Sequence, residues 1–143
     1  RILFNQMAGF DVLGETGLEV LFPDLTGYGA GLHWIPQGGH LSVHLDSSRH
    51  PTTGWYRRLS ACLYLDHQGS GGTLNLYSNR GRELVQRIEP KPNRLILFET
   101  TDHAYHGVPD PVTEPDGRKS IALFFWSVES PASTGDRTQA EFV

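Results

Sequence analysis

Leu41-Ser42-Val43-His44-Leu45-Asp46 is the stretch on which the fold turns. It alternates apolar and polar residues, as a strand with one buried face does, because side chains point to opposite faces with period two. Leu41, Val43 and Leu45 share one face. Ser42, His44 and Asp46 share the other. A His and an Asp two apart therefore project the same way. They can grip one metal ion if a third ligand arrives from elsewhere in the chain.

The segments on either side have the same short, turn-bounded character. Upstream, Leu18–Phe22 reads as a strand ended by Pro23-Asp24, and Leu32–Ile35 as another, between Gly27-Tyr28-Gly29-Ala30-Gly31 and Pro36-Gln37-Gly38-Gly39. Helical character shows only around Leu3–Phe10. Downstream, Leu59–Leu65 alternates, with Leu59, Ala61, Leu63 and Leu65 against Ser60, Cys62 and Tyr64. Strands follow at Thr73–Tyr77, Leu84–Ile88, Arg94–Phe98 (read as buried), His106–Val108 and Ser120–Ser127, with Gly- and Pro-rich turns between them. The tail 131–143 is polar and reads as partly disordered. Short strands at such spacing, with little helix, predict an all-β core, and a jelly roll has an open mouth for a site.

Composition narrows the classes. The 143 residues predict one domain, 1–143, with a sizeable core. Lys and Arg number 12 against 16 Asp and Glu, a net charge of −4, so nothing points to nucleic acid. No apolar run is long enough to span a membrane, and no signal-peptide pattern opens the chain. One cysteine, Cys62, forms no internal disulfide and fits a reducing, cytoplasmic setting. The chain opens on Arg1, which fits a domain trimmed at its N-terminus.

Six further His residues compete to complete the site. His40 reads as a solvated strand end, His33 as a residue after a Gly-rich turn, and His50 and His67 as surface loop residues. His103 and His106 lie downstream. His106 stands before Gly107-Val108-Pro109, where the backbone turns, and reads either as a loop His or as a ligand. Farther on, Arg118 shares a face with Ser120, Ala122 and Phe124. Above small residues it has room to hold a carboxylate by a bidentate bond. The plainer alternative is a surface Arg. Lys119 falls on the wrong face for the same work.

Taken in order, these pieces resemble the Fe(II)/2-oxoglutarate-dependent dioxygenases, in their prolyl 4-hydroxylase-like branch. The resemblance is carried by Gly31-Leu32-His33, by Gly38-Gly39-His40-Leu41-Ser42-Val43-His44-Leu45-Asp46, and by Arg57-Arg58-Leu59. It continues through Leu63-Tyr64-Leu65-Asp66, Gly71-Gly72-Thr73-Leu74, Pro90–Phe98, His106-Gly107-Val108-Pro109 and Arg118-Lys119-Ser120-Ile121. It implies a double-stranded β-helix. It implies that His44, Asp46 and His106 bind Fe(II), the two-His, one-carboxylate set that leaves open positions on the metal. Gly107-Val108 favours His106 over His103. Arg118 is implied to pair with the far carboxylate of 2-oxoglutarate, helped by the Tyr64 hydroxyl. The implied cofactors are Fe(II), 2-oxoglutarate and O₂, with ascorbate a helpful addition. Asp46 is intact, which disfavours the halogenating relatives. Helices that usually precede the first strand have little room here.

The implied activity is hydroxylation of an unactivated C–H bond, of a prolyl residue in a peptide or protein, with release of succinate and CO₂. A free amino acid or other small molecule is the alternative substrate. A silent β-helix binding domain and a His-rich metal cupin are the alternatives to a 2-oxoglutarate enzyme. For substrate contact the candidates are Trp34, Trp55, Tyr56, Arg57 and the loop 99–103, since loops at a mouth recognise ligands. Trp126 reads as core.

Overall fold

The computed structural model describes residues 21–66 and 71–143. In chain order the strands are β1 (Phe22–Pro23), β2 (Gly31–Ile35), β3 (Leu41–Leu45), β4 (Tyr56–Tyr64), β5 (Leu74–Ser78), β6 (Glu83–Ile88), β7 (Leu95–Glu99), β8 (Tyr105–Val108), β9 (Arg118–Ser127) and β10 (Glu141–Phe142). No helix occurs among the described residues. The helical character expected near Leu3–Phe10 and most of the strand expected at Leu18–Phe22 lie outside them, as does His67.

The strands form two antiparallel five-stranded sheets. The major sheet runs β1-β9-β4-β7, with β2 also pairing β9, and the minor sheet runs β10-β3-β8-β5-β6. This is the expected double-stranded β-helix. Between the sheets, buried Tyr64, Leu74, Ile96 and Val108 pack with Ile35, Cys62, Leu76, Ile88 and Phe98. The outer face of the major sheet carries a second cluster, Leu59, Ala61 and Phe125. Strand β4 sends alternate residues to the two clusters, Cys62 and Tyr64 to the first and Leu59 and Ala61 to the second, as its alternation predicts.

Two details of register shape the site. Opposite Trp126 and Phe125, β4 places Arg57 and Leu59, so a residue is inserted between them. This bulge brings Arg57 onto the inner face with Ser60, where strict alternation would have put it outside. Gly107 on β8 lies against β3: a Cβ there would sit 2.9 Å from the Leu41 carbonyl oxygen and 3.0 Å from Val43 Cα. Only glycine allows the two strands this close.

Three expectations are corrected. The segment 94–98 is not buried on both faces: β7 is an edge strand, and Leu95 and Leu97 are exposed while Ile96 is buried. The polar tail 131–143 is not disordered but folds back on the minor sheet, ending in β10. His50 is not a surface residue. It is 4% exposed, with Trp126 and Trp55 rings nearby. Its Nδ1 accepts the N–H groups of Thr52 and Thr53, which leaves Nε2 facing the Asp24 carboxylate at 3.3 Å.

Candidate active site

Strand β3 carries His44, and Asp46 lies just past its end. Strand β8 carries His106, directly opposite His44 in the register. The His44 and His106 rings stand 4.5 Å apart between centroids. His44 Nε2 is 3.6 Å from Asp46 Oδ1, and His106 Nε2 is 3.9 Å from Asp46 Oδ2. One ligand atom from each of the three lies within 4.8 Å of the others. His103, the competitor for the third position, is exposed and outside this group.

Both imidazoles are held in one orientation. His44 Nδ1 donates to the Ser42 carbonyl at 2.8 Å, and His106 Nδ1 to the Ala104 carbonyl at 2.9 Å. These bonds select the tautomer with a lone pair on Nε2, facing Asp46, which is how a metal-ligating His is oriented. Asp46 in turn meets Arg57 Nη1 and Ser60 Oγ, each 3.4 Å from Oδ2. The ring of Phe98 packs edge-on against His106.

The charges follow from this packing. Burial works against the Asp46 carboxylate, but His44, His106 and Arg57 outweigh it and hold the group well below the usual range. His44 is likewise penalised by burial, yet the facing Asp46 and the Ser42 carbonyl raise its pKa. His106 is buried more deeply and its pKa is lowered, with Asp46 offsetting only part of the desolvation. Burial also lowers the pKa of Arg57 against the pull of Asp46. The result is one partly buried anion, flanked by two oriented nitrogens and a cation.

On the inner face of the major sheet, Arg118 begins β9 and Tyr64 ends β4, beside Ser120 in the register. Arg118 is 6% exposed. Its Nη2 donates to Tyr64 Oη at 2.8 Å, and its Cζ lies 4.7 Å from the Tyr64 ring centroid. Arg118 Nε is buried and has no acceptor among the described residues. Tyr64 accepts from Arg118, so its own O–H remains to donate, and burial raises its pKa and keeps it protonated. Two donors thus converge with no anionic side chain facing them among the described residues, an arrangement suited to a carboxylate. Gly72 covers this corner with φ +65, and a Cβ there would come within 3.0 Å of Arg118 Cδ. Lys119 points away, as the alternation indicates, and pairs with Asp66 at 3.5 Å.

Residues 30–126 match the profile of the 2OG-Fe(II) oxygenase superfamily. The chain belongs to that family. Its cofactors are Fe(II), 2-oxoglutarate and O₂. The prolyl 3-hydroxylase OGFOD1 of Mus musculus is 31% identical over 77 residues, which are 49% of this chain and 14% of the mouse protein. Among solved structures, a prolyl hydroxylase from Trichoplax adhaerens in complex with a hypoxia inducible factor peptide fragment has a TM-score of 0.54 at 23% identity. It matches 80% of this chain and 49% of its own. A Pseudomonas putida prolyl-4-hydroxylase has a TM-score of 0.46 at 26% identity, over 70% of this chain and 52% of its own. The oxygenase chain therefore spans about half the length of those structures and about one-seventh of the mouse protein.

The remaining candidates separate. Arg57 lies inside the site. Its Cζ is 3.8 Å from the Phe124 ring centroid and 5.1 Å from that of Trp126. Trp55 lines an adjoining cavity. Tyr56 receives the Arg49 guanidinium on its ring, 5.5 Å from the centroid. Trp34 pairs with Lys119, hence projects to the outer face, and is 61% exposed with its N–H on the Asp116 carbonyl. Its register thus sets it apart from the inner-face residues. From the 99–103 loop, Thr100 meets Ser60 at 3.3 Å behind Asp46; sequence reasoning missed Ser60 and the tail residue Arg137. No spacing rule marks them, because their contacts depend on how the sheets close.

Proposed function

We propose that this oxygenase hydroxylates an unactivated C–H bond of a prolyl residue in a peptide or protein. In the balanced reaction, substrate C–H, 2-oxoglutarate and O₂ give substrate C–OH, succinate and CO₂. The observation that carries the reading is the presence of two sets between the same two sheets, the His44, Asp46 and His106 cluster on the minor sheet and the Arg118–Tyr64 corner on the major sheet.

In this reading His44, Asp46 and His106 hold Fe(II), and Arg118 and Tyr64 hold the far carboxylate of 2-oxoglutarate. When bound, the iron with its cosubstrate supplies the oxidising chemistry. The chain does the rest. The Ser42 and Ala104 carbonyls fix the imidazoles, while Arg57 and Ser60 fix the Asp46 carboxylate. Arg118 and Tyr64 set the cosubstrate's direction, and the apolar residues between the sheets exclude water.

A cavity of about 980 Å³ supports the substrate class. Its walls include Phe22, Tyr28, Trp55, Phe124 and Trp126. It meets the metal cluster through Arg57, which lies on Phe124 and contacts Asp46. Aromatic-lined grooves suit the pre-formed, ring-bearing backbone of proline-containing peptides. The test is to incubate the Fe(II)-loaded protein with 2-oxoglutarate, O₂ and a set of proline-containing peptides, and to measure the mass of each. A gain of one oxygen on a prolyl residue is expected. Succinate formed without any modified peptide, but with a hydroxylated free amino acid, would replace the peptide with a small molecule.

A further inference from the structure

The tail 131–143 does more than cover an edge. Its backbone and side chains bond to both segments that lead to the metal cluster. On the β3 side, the N–H groups of Ser48 and Arg49 each donate to the Arg137 carbonyl at 2.8 Å. Ser48 Oγ donates to the Gly135 carbonyl and accepts the Arg137 N–H at 2.9 Å. Strand β10 then pairs Phe142 with His44 and Glu141 with Leu45, and the Phe142 ring lies 5.1 Å from that of His44. On the β8 side, the Asp102 N–H donates to the Ser133 carbonyl at 3.0 Å, and Thr134 Oγ1 to the Thr100 carbonyl at 3.1 Å. The Gly135 N–H donates to Asp102 Oδ1 at 2.9 Å.

One guanidinium spans the two. Arg137 Nε donates to the Asp46 carbonyl at 3.3 Å, and Nη1 binds the Asp102 carboxylate. Asp46 ends the segment bearing two members of the cluster, and Asp102 lies four residues before the third. A second path runs inside the fold, from Thr100 Oγ1 to Ser60 Oγ at 3.3 Å and on to Asp46 Oδ2 at 3.4 Å.

We propose that Arg137 is a positioning residue for the metal site. It sets the separation between the Asp46 segment and the loop that delivers His106, and the tail is a strap that holds it there. The inference rests on the assignment of His44, Asp46 and His106 as metal ligands. Outer partners of metal ligands typically tune affinity by about 10–100-fold.

The test is Mn(II) binding by titration calorimetry, with thermal unfolding measured on the same metal-free samples, for the full chain and for Arg137→Ala and Arg137→Lys. Lysine can reach the Asp102 carboxylate but offers one ammonium where Arg137 makes two directed bonds. The strap therefore predicts that Arg137→Ala weakens Mn(II) about 10–100-fold. It also predicts that Arg137→Lys recovers the unfolding midpoint but not the affinity. Affinity in Arg137→Ala within about twofold of wild type overturns the inference, as does affinity that only follows the unfolding midpoint across the two variants. Wild-type protein that takes up no Mn(II) instead overturns the metal assignment itself, and the strap's role with it.

Discussion

Arg118→Ala is the perturbation that separates a cosubstrate pocket from a bare metal site. The guanidinium is nearly fully buried, one of its nitrogens is tied to Tyr64, and another has no acceptor among the described residues. In the proposed complex that free donor and the Tyr64 hydroxyl meet a carboxylate. Removing one partner of a buried, hydrogen-bonded charge pair costs about 2–5 kcal/mol. At about 1.4 kcal/mol per factor of ten, 2-oxoglutarate binding weakens by about 30- to 3,000-fold. Arg118 touches none of His44, Asp46 or His106, so Mn(II) affinity should change by less than about threefold, within ordinary coupling between separate sites. Calorimetric titration of Mn(II), and then of 2-oxoglutarate into the Mn(II)-loaded protein without O₂, reads both. Tyr64→Phe removes a single neutral bond worth about 0.5–1.5 kcal/mol, so its loss should be about 2- to 13-fold. Equal weakening of metal and cosubstrate in Arg118→Ala would refute the role assigned to this residue.

Other expectations follow from the same geometry. In the metal-free protein, NMR titration should place the His44 midpoint above about 6.5 and that of His106 below it. Raised in the fold, His44 contributes stability that is complete below the unfolded value and lost as pH rises through the folded one; His106, depressed, contributes stability above the unfolded value that is lost as pH falls. Because a metal competes with the proton on His44 Nε2, Mn(II) affinity should fall as pH drops through the His44 midpoint, and a flat profile between pH 8 and 5.5 (roughly spanning the usual histidine range) would contradict this. Gly107→Ala should destabilise the fold by about 1–3 kcal/mol in urea unfolding, since the added methyl meets backbone atoms of β3. His50→Ala leaves two backbone N–H groups without their acceptor and should cost a further ~1–3 kcal/mol in the same assay, with Mn(II) binding intact.

The parts of the site legible in the sequence are those fixed by local period. His44 and Asp46 share a face because they are two apart on a strand. Tyr64 shares one with Ser60, and Arg118 one with Ser120, for the same reason. His106 could not be paired with His44 from spacing alone, since β8 meets β3 only through the closure of the minor sheet. The family order supplied that pairing. Arg57 shows why alternation fails locally: one inserted residue before Leu59 reverses its face, and no side chain announces the bulge. Trp34 shows the opposite case, since regular pairing with Lys119 carries it to the outer face. His50 and the tail were misjudged from polarity. A polar residue reads as solvated until its partners are known, and those partners, Asp24 for His50 and Asp46, Ser48 and Asp102 for Arg137, are distant in sequence.

The most direct test of the central claim is succinate release. The protein is supplied with Fe(II), 2-oxoglutarate and O₂, and succinate is measured in wild type and in His44→Ala, first without added substrate and then with proline-containing peptides. The account predicts succinate from wild type that rises when a suitable peptide is present, and none above background from His44→Ala. Wild-type protein that binds Fe(II) and 2-oxoglutarate yet forms no succinate under any of these conditions would contradict it, and would leave a β-helix that binds without catalysing.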